Sequence, residues 1–203
     1  MTDISPYEPI PVDVAARPPV RPRLLLIGTA LACAATIVGY MGLVGYYASR
    51  RAEVVATGEP WLPEGVTIPL TQPNFMLLTL SFSVVSMLWA VSAVRADDKA
   101  NAYIAFGLTI VFGFAQIVQT AYLLSLMEMP ASAGEQAAMI YALIGLQLVL
   151  TGLGMGYIAV TALRTLGGGY SAKDYEGVLS AAIFWIMTVG VYMALWYAVY
   201  ITK

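Results

Sequence analysis

Hydrophobic residues gather in five long stretches of this chain, at about 24–47, 75–94, 102–126, 137–163 and 178–201, with the charged residues pushed between them. None of the five contains Asp, Glu, Lys or Arg. A helix needs about 20 consecutive apolar residues to cross the hydrocarbon core of a bilayer, and every stretch is long enough. The pattern predicts an all-α, polytopic membrane domain over residues 23–203, a bundle of five transmembrane helices. Residues 1–22 read differently, because they hold six of the eleven prolines, including Pro18-Pro19. That composition favours extended, polyproline-like chain and predicts a flexible tail.

The connections set the orientation. Five crossings put the two termini on opposite sides. Arg17, Arg21, Arg23, Arg95, Lys99, Arg164 and Lys173 fall on the side of the N-terminus, against Arg50, Arg51 and Lys203 on the other. By the positive-inside rule the N-terminus is expected in the cytoplasm and the C-terminus outside, as in a multi-pass protein of the bacterial plasma membrane. Tyr46, Tyr47, Trp61, Tyr122, Tyr141, Trp196, Tyr197 and Tyr200 collect towards the outer ends, where anchoring at the lipid interface accounts for most of them. The longest connection, 48–74, contains Trp61-Leu62-Pro63 and ends in Gln72-Pro73-Asn74; Pro73 disfavours a helical Gln72, so the second helix is expected to start near Phe75, with Asn74 as its cap. Gly167-Gly168-Gly169 has no Walker pattern around it and is expected to terminate the fourth helix rather than bind phosphate.

Composition narrows the chemistry. With 60% hydrophobic and 11% charged residues among 203, the chain lacks the polar surface of a soluble domain, and a net charge of -2 without a basic patch argues against nucleic acid as a partner. There is no His. Haem iron in membrane cytochromes usually takes His ligands, and proton or ion relays use intramembrane acids or bases; the five stretches offer neither. The single Cys33 cannot form an internal disulfide or a dicopper thiolate site. Ala30-Leu31-Ala32-Cys33 has the look of a lipoprotein cleavage site, but the apolar run continues to Tyr47, so the segment reads as a retained helix. No catalytic residue, metal site or cofactor site is expected in this chain.

The polar groups left within the spans are few. Gln116 and Gln119 lie three apart in the third stretch and Gln147 in the fourth, where an amide can hydrogen-bond a facing helix, a quinone head group or a water. Packing between helices is the simpler role, worth on the order of 0.5–2 kcal/mol for each bond in a membrane. Gly39, Gly42 and Gly45 recur on the first stretch, and Gly152 and Gly156 form a G-x-x-x-G with Gly154 between them, so these five are expected to allow close helix packing. The methionines are scattered and read as apolar filler rather than copper ligands.

The order of pieces resembles the short, five-helix bacterial form of cytochrome c oxidase subunit III, over roughly residues 24–203. Trp61-Leu62-Pro63 with Pro73-Asn74-Phe75 through Leu80-Ser81 is similar to that family's Trp-Pro loop and the helix after it. Arg164-Thr165-Leu166-Gly167-Gly168-Gly169-Tyr170-Ser171, then Phe184-Trp185 and an aromatic end, is similar to its inner loop and last helix. The chain departs from the family where charge would be. Gln119 stands in place of a membrane-buried Glu, the paired His of the fourth helix are missing with Gln147 at one of the two positions, and Ile186 and Val189 replace a His and an Asp.

The resemblance implies a divergent, non-catalytic accessory subunit of a haem-copper terminal oxidase in aerobic respiration. Haem and copper would reside in partner subunits I and II, with bound phospholipid held by this subunit. A cytochrome bc complex would be a further neighbour where the oxidase joins a supercomplex. The competing reading is an independent membrane protein that forms a lipid or small-molecule cavity of its own. A membrane enzyme is disfavoured, because no nucleophile and base cluster in the sequence.

Overall fold

The computed structural model describes residues 23–62, 65–130 and 132–202; the predicted tail, residues 1–22, lies outside them. Five helices follow in order: α1 (Leu24–Ala56), α2 (Thr71–Arg95), α3 (Lys99–Met127), α4 (Glu135–Leu166) and α5 (Glu176–Leu195), the last widening into a π-helical segment, Trp196–Ile201. All five are long and apolar enough to cross a membrane, and the described residues form no strand beyond an isolated bridge between Ser171 and Asp174. These are the features of a multi-pass membrane protein.

Counting the π-helical end with α5, every helix is longer than its apolar stretch, and the differences have local causes. α1 continues past Tyr47 through Arg50, Arg51 and Glu53 to Ala56. Leaving an apolar region does not end a helix, because Arg and Glu are good helix formers once their charges are solvated. The connection expected at 48–74 shortens accordingly to 57–70. α2 begins at Thr71 rather than near Phe75, so Gln72 is helical and Asn74 is no cap. Pro73 is tolerated because it lies in the first turn, where backbone N–H groups have no intrahelical acceptor anyway. Asn74 instead accepts a bond from Trp196 Nε1 at 2.8 Å.

Two connections close tightly, and both use the same device. At the end of α4, Gly168 takes φ +76°, Gly168 N–H donates to the Thr165 carbonyl and Gly169 N–H to that of Arg164. That pair of bonds is a Schellman motif, and it gives the glycine run its role as a helix stop. At the end of α2, Asp97 takes the left-handed position with φ 54°, with Asp97 N–H on Val94 and Asp98 N–H on Ala93. The next residue starts α3: Asp98 accepts from Asn101 N–H at 3.1 Å and from its side-chain amide at 2.6 Å. α2 and α3 thus fold back on each other as an antiparallel hairpin.

α5 occupies the middle of the bundle, packing on α1, α2 and α4, while α1 lies at the edge against α5 and touches α4 only lightly. Its two ends are clasped. Near Leu24 the Leu26 N–H donates to Glu176 at the head of α5, 3.0 Å away. At the other end Arg50 grips Glu135 of α4 with two bonds of 3.0 and 3.1 Å and also pairs with Glu53.

Candidate functional site

Trp185 organises the interior. Its indole is fully buried and lies where α3 and α4 each present a glycine. A Cβ added to Gly113 would come within 2.9 Å of Trp185 Cη2, and one added to Gly154 within 2.8 Å of Trp185 Cε3. Real Cβ atoms do not approach so closely, so both positions exclude any larger residue unless the ring moves. The indole N–H then reaches the third wall of the cage, donating to Ser83 Oγ of α2 at 2.9 Å. One side chain from α5 therefore fixes the spacing of three other helices.

A polar seam runs through this packed interior. Ser86 of α2 and Thr109 of α3 share a bond of 2.8 Å, and both are buried. Gln147 donates its amide N–H to the Thr188 carbonyl of α5 at 3.2 Å. Gln119, half-buried, donates to Thr79 Oγ1 of α2 at 3.2 Å, whereas fully buried Gln116 stays on its own helix and donates to Thr120 Oγ1 at 3.3 Å. Gln116 and Gln119 therefore serve different neighbours despite their spacing. Among the described residues, the Oε1 atoms of Gln116, Gln119 and Gln147 and the hydroxyl of Tyr200 receive no hydrogen bond while buried.

The glycines singled out in the sequence lie elsewhere. A Cβ at Gly39, Gly42, Gly45, Gly152 or Gly156 would meet no atom within 4 Å. Close packing inside the chain falls instead on Gly113 and Gly154, and the five others face outward. Helical spacing marks a face without saying which way it points. The outer aromatics divide in the same manner. Tyr46, Tyr122 and Tyr197 are exposed as interface anchors would be, but Tyr47, Trp61 and Tyr200 are buried. Trp61 donates to Tyr47 at 3.0 Å with the rings edge-on, Tyr40 to the Leu143 carbonyl at 3.1 Å, and Tyr192 to the Pro73 carbonyl at 2.9 Å. This tyrosine cluster locks α1, α2, α4 and α5 together at one end.

Trp185 was visible only as half of a motif. The signal that would have found its cage is the coincidence of a lone small residue on each of two helices with a Ser on a third.

An open groove of about 360 Å³ runs between α1, α4 and α5, walled by Leu24, Leu25, Gly28 and Ala32 on one side and Tyr157 and Phe184 on the other. Thr29 and Tyr157 share a bond of 3.3 Å on its floor. A separate, smaller polar hollow lies where α1 and α5 begin, with Arg23, Lys173, Asp174 and Glu176 around it. Among the described residues, no three His, Cys, Asp or Glu side chains gather as metal ligands would. Cys33 is buried as a free thiol.

No protein-family model matches the sequence. The chain is similar to cytochrome c oxidase subunit 3 from Carassius auratus, with 23% identity over 186 residues that span 90% of this chain and 71% of that protein.

Proposed function

We propose that this chain is a non-catalytic accessory subunit of a haem-copper terminal oxidase, a divergent form of subunit III that stabilises the catalytic subunit and organises lipid. The observation that carries the proposal is the similarity to cytochrome c oxidase subunit 3 across nine-tenths of the chain, joined to five apolar helices of spanning length. The residue chemistry is consistent with it. A chain without His, and without an acid or base in the middle of its spans, would join an oxidase as scaffold rather than as a carrier of haem, copper or protons.

In this proposal the bacterial plasma membrane is the location, the N-terminus faces the cytoplasm, subunits I and II hold the haem and copper, and a cytochrome bc complex is a neighbour in a supercomplex. The groove between α1, α4 and α5 supports the lipid role. Its apolar walls, with Leu24, Leu25, Ala32 and Phe184 among them, suit an acyl chain.

The test is purification in mild detergent through a tag on the N-terminal segment, with reduced-minus-oxidised spectra and mass spectrometry of the chains that follow. Haem a-type or o-type bands and a large multi-helix partner are the expected result. A colourless, single-chain preparation would overturn it. The same groove would then favour the second reading, a membrane protein that binds a lipid or small molecule by itself.

A further inference from the structure

By helical rise, the buried amides of Gln116 and Gln147 lie at one level of the bundle. Gly113, Gly154 and Trp185 define a layer by their contacts. Towards the Arg50 end, Gln116 lies one turn above Gly113, about 4.5 Å along the axis, and its amide reaches further up to Thr120. Gln147 lies two turns above Gly154, about 10.5 Å, and its amide reaches back down to the carbonyl of Thr188, itself one turn above Trp185. From opposite directions, both amides enter the layer between one and two turns above the indole.

Their orientations are fixed by what surrounds them. The Thr188 carbonyl can only accept, so the NH₂ of Gln147 must face it. The Thr120 hydroxyl already donates to the Gln116 carbonyl of its own helix at 2.8 Å, so it too can only accept from the Gln116 amide. Each Oε1 is thereby turned away from these partners. Nor can the neighbouring hydroxyls serve them: Thr151 donates to the Gln147 backbone carbonyl at 2.9 Å and Thr188 to that of Phe184 at 3.0 Å. The protons of these three threonine hydroxyls are committed, and two amide oxygens at 0% and 1% residue exposure have no donor among the described residues.

We propose that this layer binds an internal water molecule, which donates one O–H to Gln116 Oε1 and the other to Gln147 Oε1 and so bridges α3 to α4 beside α5. Water is the chemistry required. It brings two donors to two bare acceptors, and buried waters typically make about 2–4 such bonds. A dry interior would leave both carbonyls desolvated and unpaired, an arrangement native proteins avoid. The inference stands on this chain's interior alone and does not depend on the oxidase proposal.

The experiment is infrared difference spectroscopy of the full chain in lipid nanodiscs, comparing H₂¹⁶O with H₂¹⁸O, for the wild type, Gln116→Leu and Gln147→Leu. The wild type should show an isotope-sensitive O–H stretch from a buried water, and either substitution alone should abolish it. No such band in the wild type, or a band that survives both substitutions, overturns the proposal. A band halved by each substitution would mean separate waters and would overturn the bridge. Should the variants fail to fold, an experimental map of the wild type that resolves ordered water decides the matter: density within hydrogen-bond distance of both oxygens is expected, and a dry layer ends it.

Discussion

α1 and α5 are drawn from nearly the same stock of apolar residues and lie side by side, yet they occupy the bundle in different ways. α5 is buried over 61% of its most apolar window and α1 over 11%. α1 contributes a narrow seam, Thr29, Cys33, Tyr40, Val44 and Tyr47, and leaves the rest of its surface uncovered. α5 contributes residues all round, including Trp185, Thr188 and Tyr192, because it has neighbours on most sides. In water the exposed helix would have betrayed itself by a polar face. In a membrane the outward face is as apolar as the inward one, so hydropathy reports that both helices span and nothing about which is central. What separates them is the distribution of shape and polarity: large side chains opposed to glycines, and hydrogen-bonding groups with partners on other helices.

The sharpest way to break the comparison is to remove the anchor of the central helix. Trp185→Ala should destabilise the chain by about 3–5 kcal/mol, the usual cost of deleting a large buried aromatic, and it also removes the bond that Ser83 accepts from the indole. Leu31→Ala and Val38→Ala on α1, at 67% and 73% exposure, should each stay within about 0.5 kcal/mol. Equilibrium unfolding in mixed micelles would measure all three. Equal losses at Trp185 and Val38 would mean that α1 and α5 are not distinguished as described.

A smaller effect is expected from adding a single methyl group. Gly154→Ala drives a Cβ into the indole and should cost about 1–3 kcal/mol through overpacking. Gly42→Ala on α1 meets open space and should be neutral or slightly stabilising, since alanine is the better helix former. A thermal unfolding series on the pair would test whether the glycine pattern or the glycine environment decides.

How α1 is held can be probed through its own cysteine. Cys33 is buried in the seam, while the clasp at Arg50 and Glu135 lies four to five turns away at the end of the helix. Glu135→Gln should raise the rate of maleimide labelling at Cys33 by a few-fold as α1 loosens, and should leave the α5 interior unaffected. Labelling at the wild-type rate would show that the seam, rather than the clasp, retains the helix.

The five spans were legible because long uncharged stretches have one common outcome in a bilayer. Their ends were less so. The extension of α1 through Arg50 and Arg51 and the entry of Pro73 into α2 depend on where solvent begins and on which N–H groups need no partner. The glycine stop at 167–169 was readable, since three glycines at a helix end leave few alternatives. The interior was the hardest part. Gln116, Gln119 and Gln147 stood out as rare polar groups, but their partners did not, and Tyr47, Trp61 and Tyr200 looked like interface anchors while turning inward. A position along the axis follows from residue number; a direction around it requires knowing the neighbours.

The smallest expected effect lies outside the spans, at the turn between α2 and α3. The hydrogen bonds that Asp98 accepts from the Asn101 side chain and backbone hold its carboxyl below the ordinary aspartate range. A group whose folded pKa is depressed adds stability that is present above its unfolded value and is lost as pH falls through the folded one. Acidification from neutral pH should therefore weaken this cap only below the usual aspartate range, and Asp98→Asn, which keeps an oxygen to accept from Asn101 N–H, should flatten that part of the pH profile. Because the turn joins the two most extensively paired helices and lies away from both α1 and Trp185, the loss should appear as faster amide hydrogen exchange in the first turn of α3, with unchanged labelling of Cys33. Faster exchange spread over α5 as well would mean that the turn and the Trp185 layer are coupled, and that the interior depends on its connections as much as on its packing.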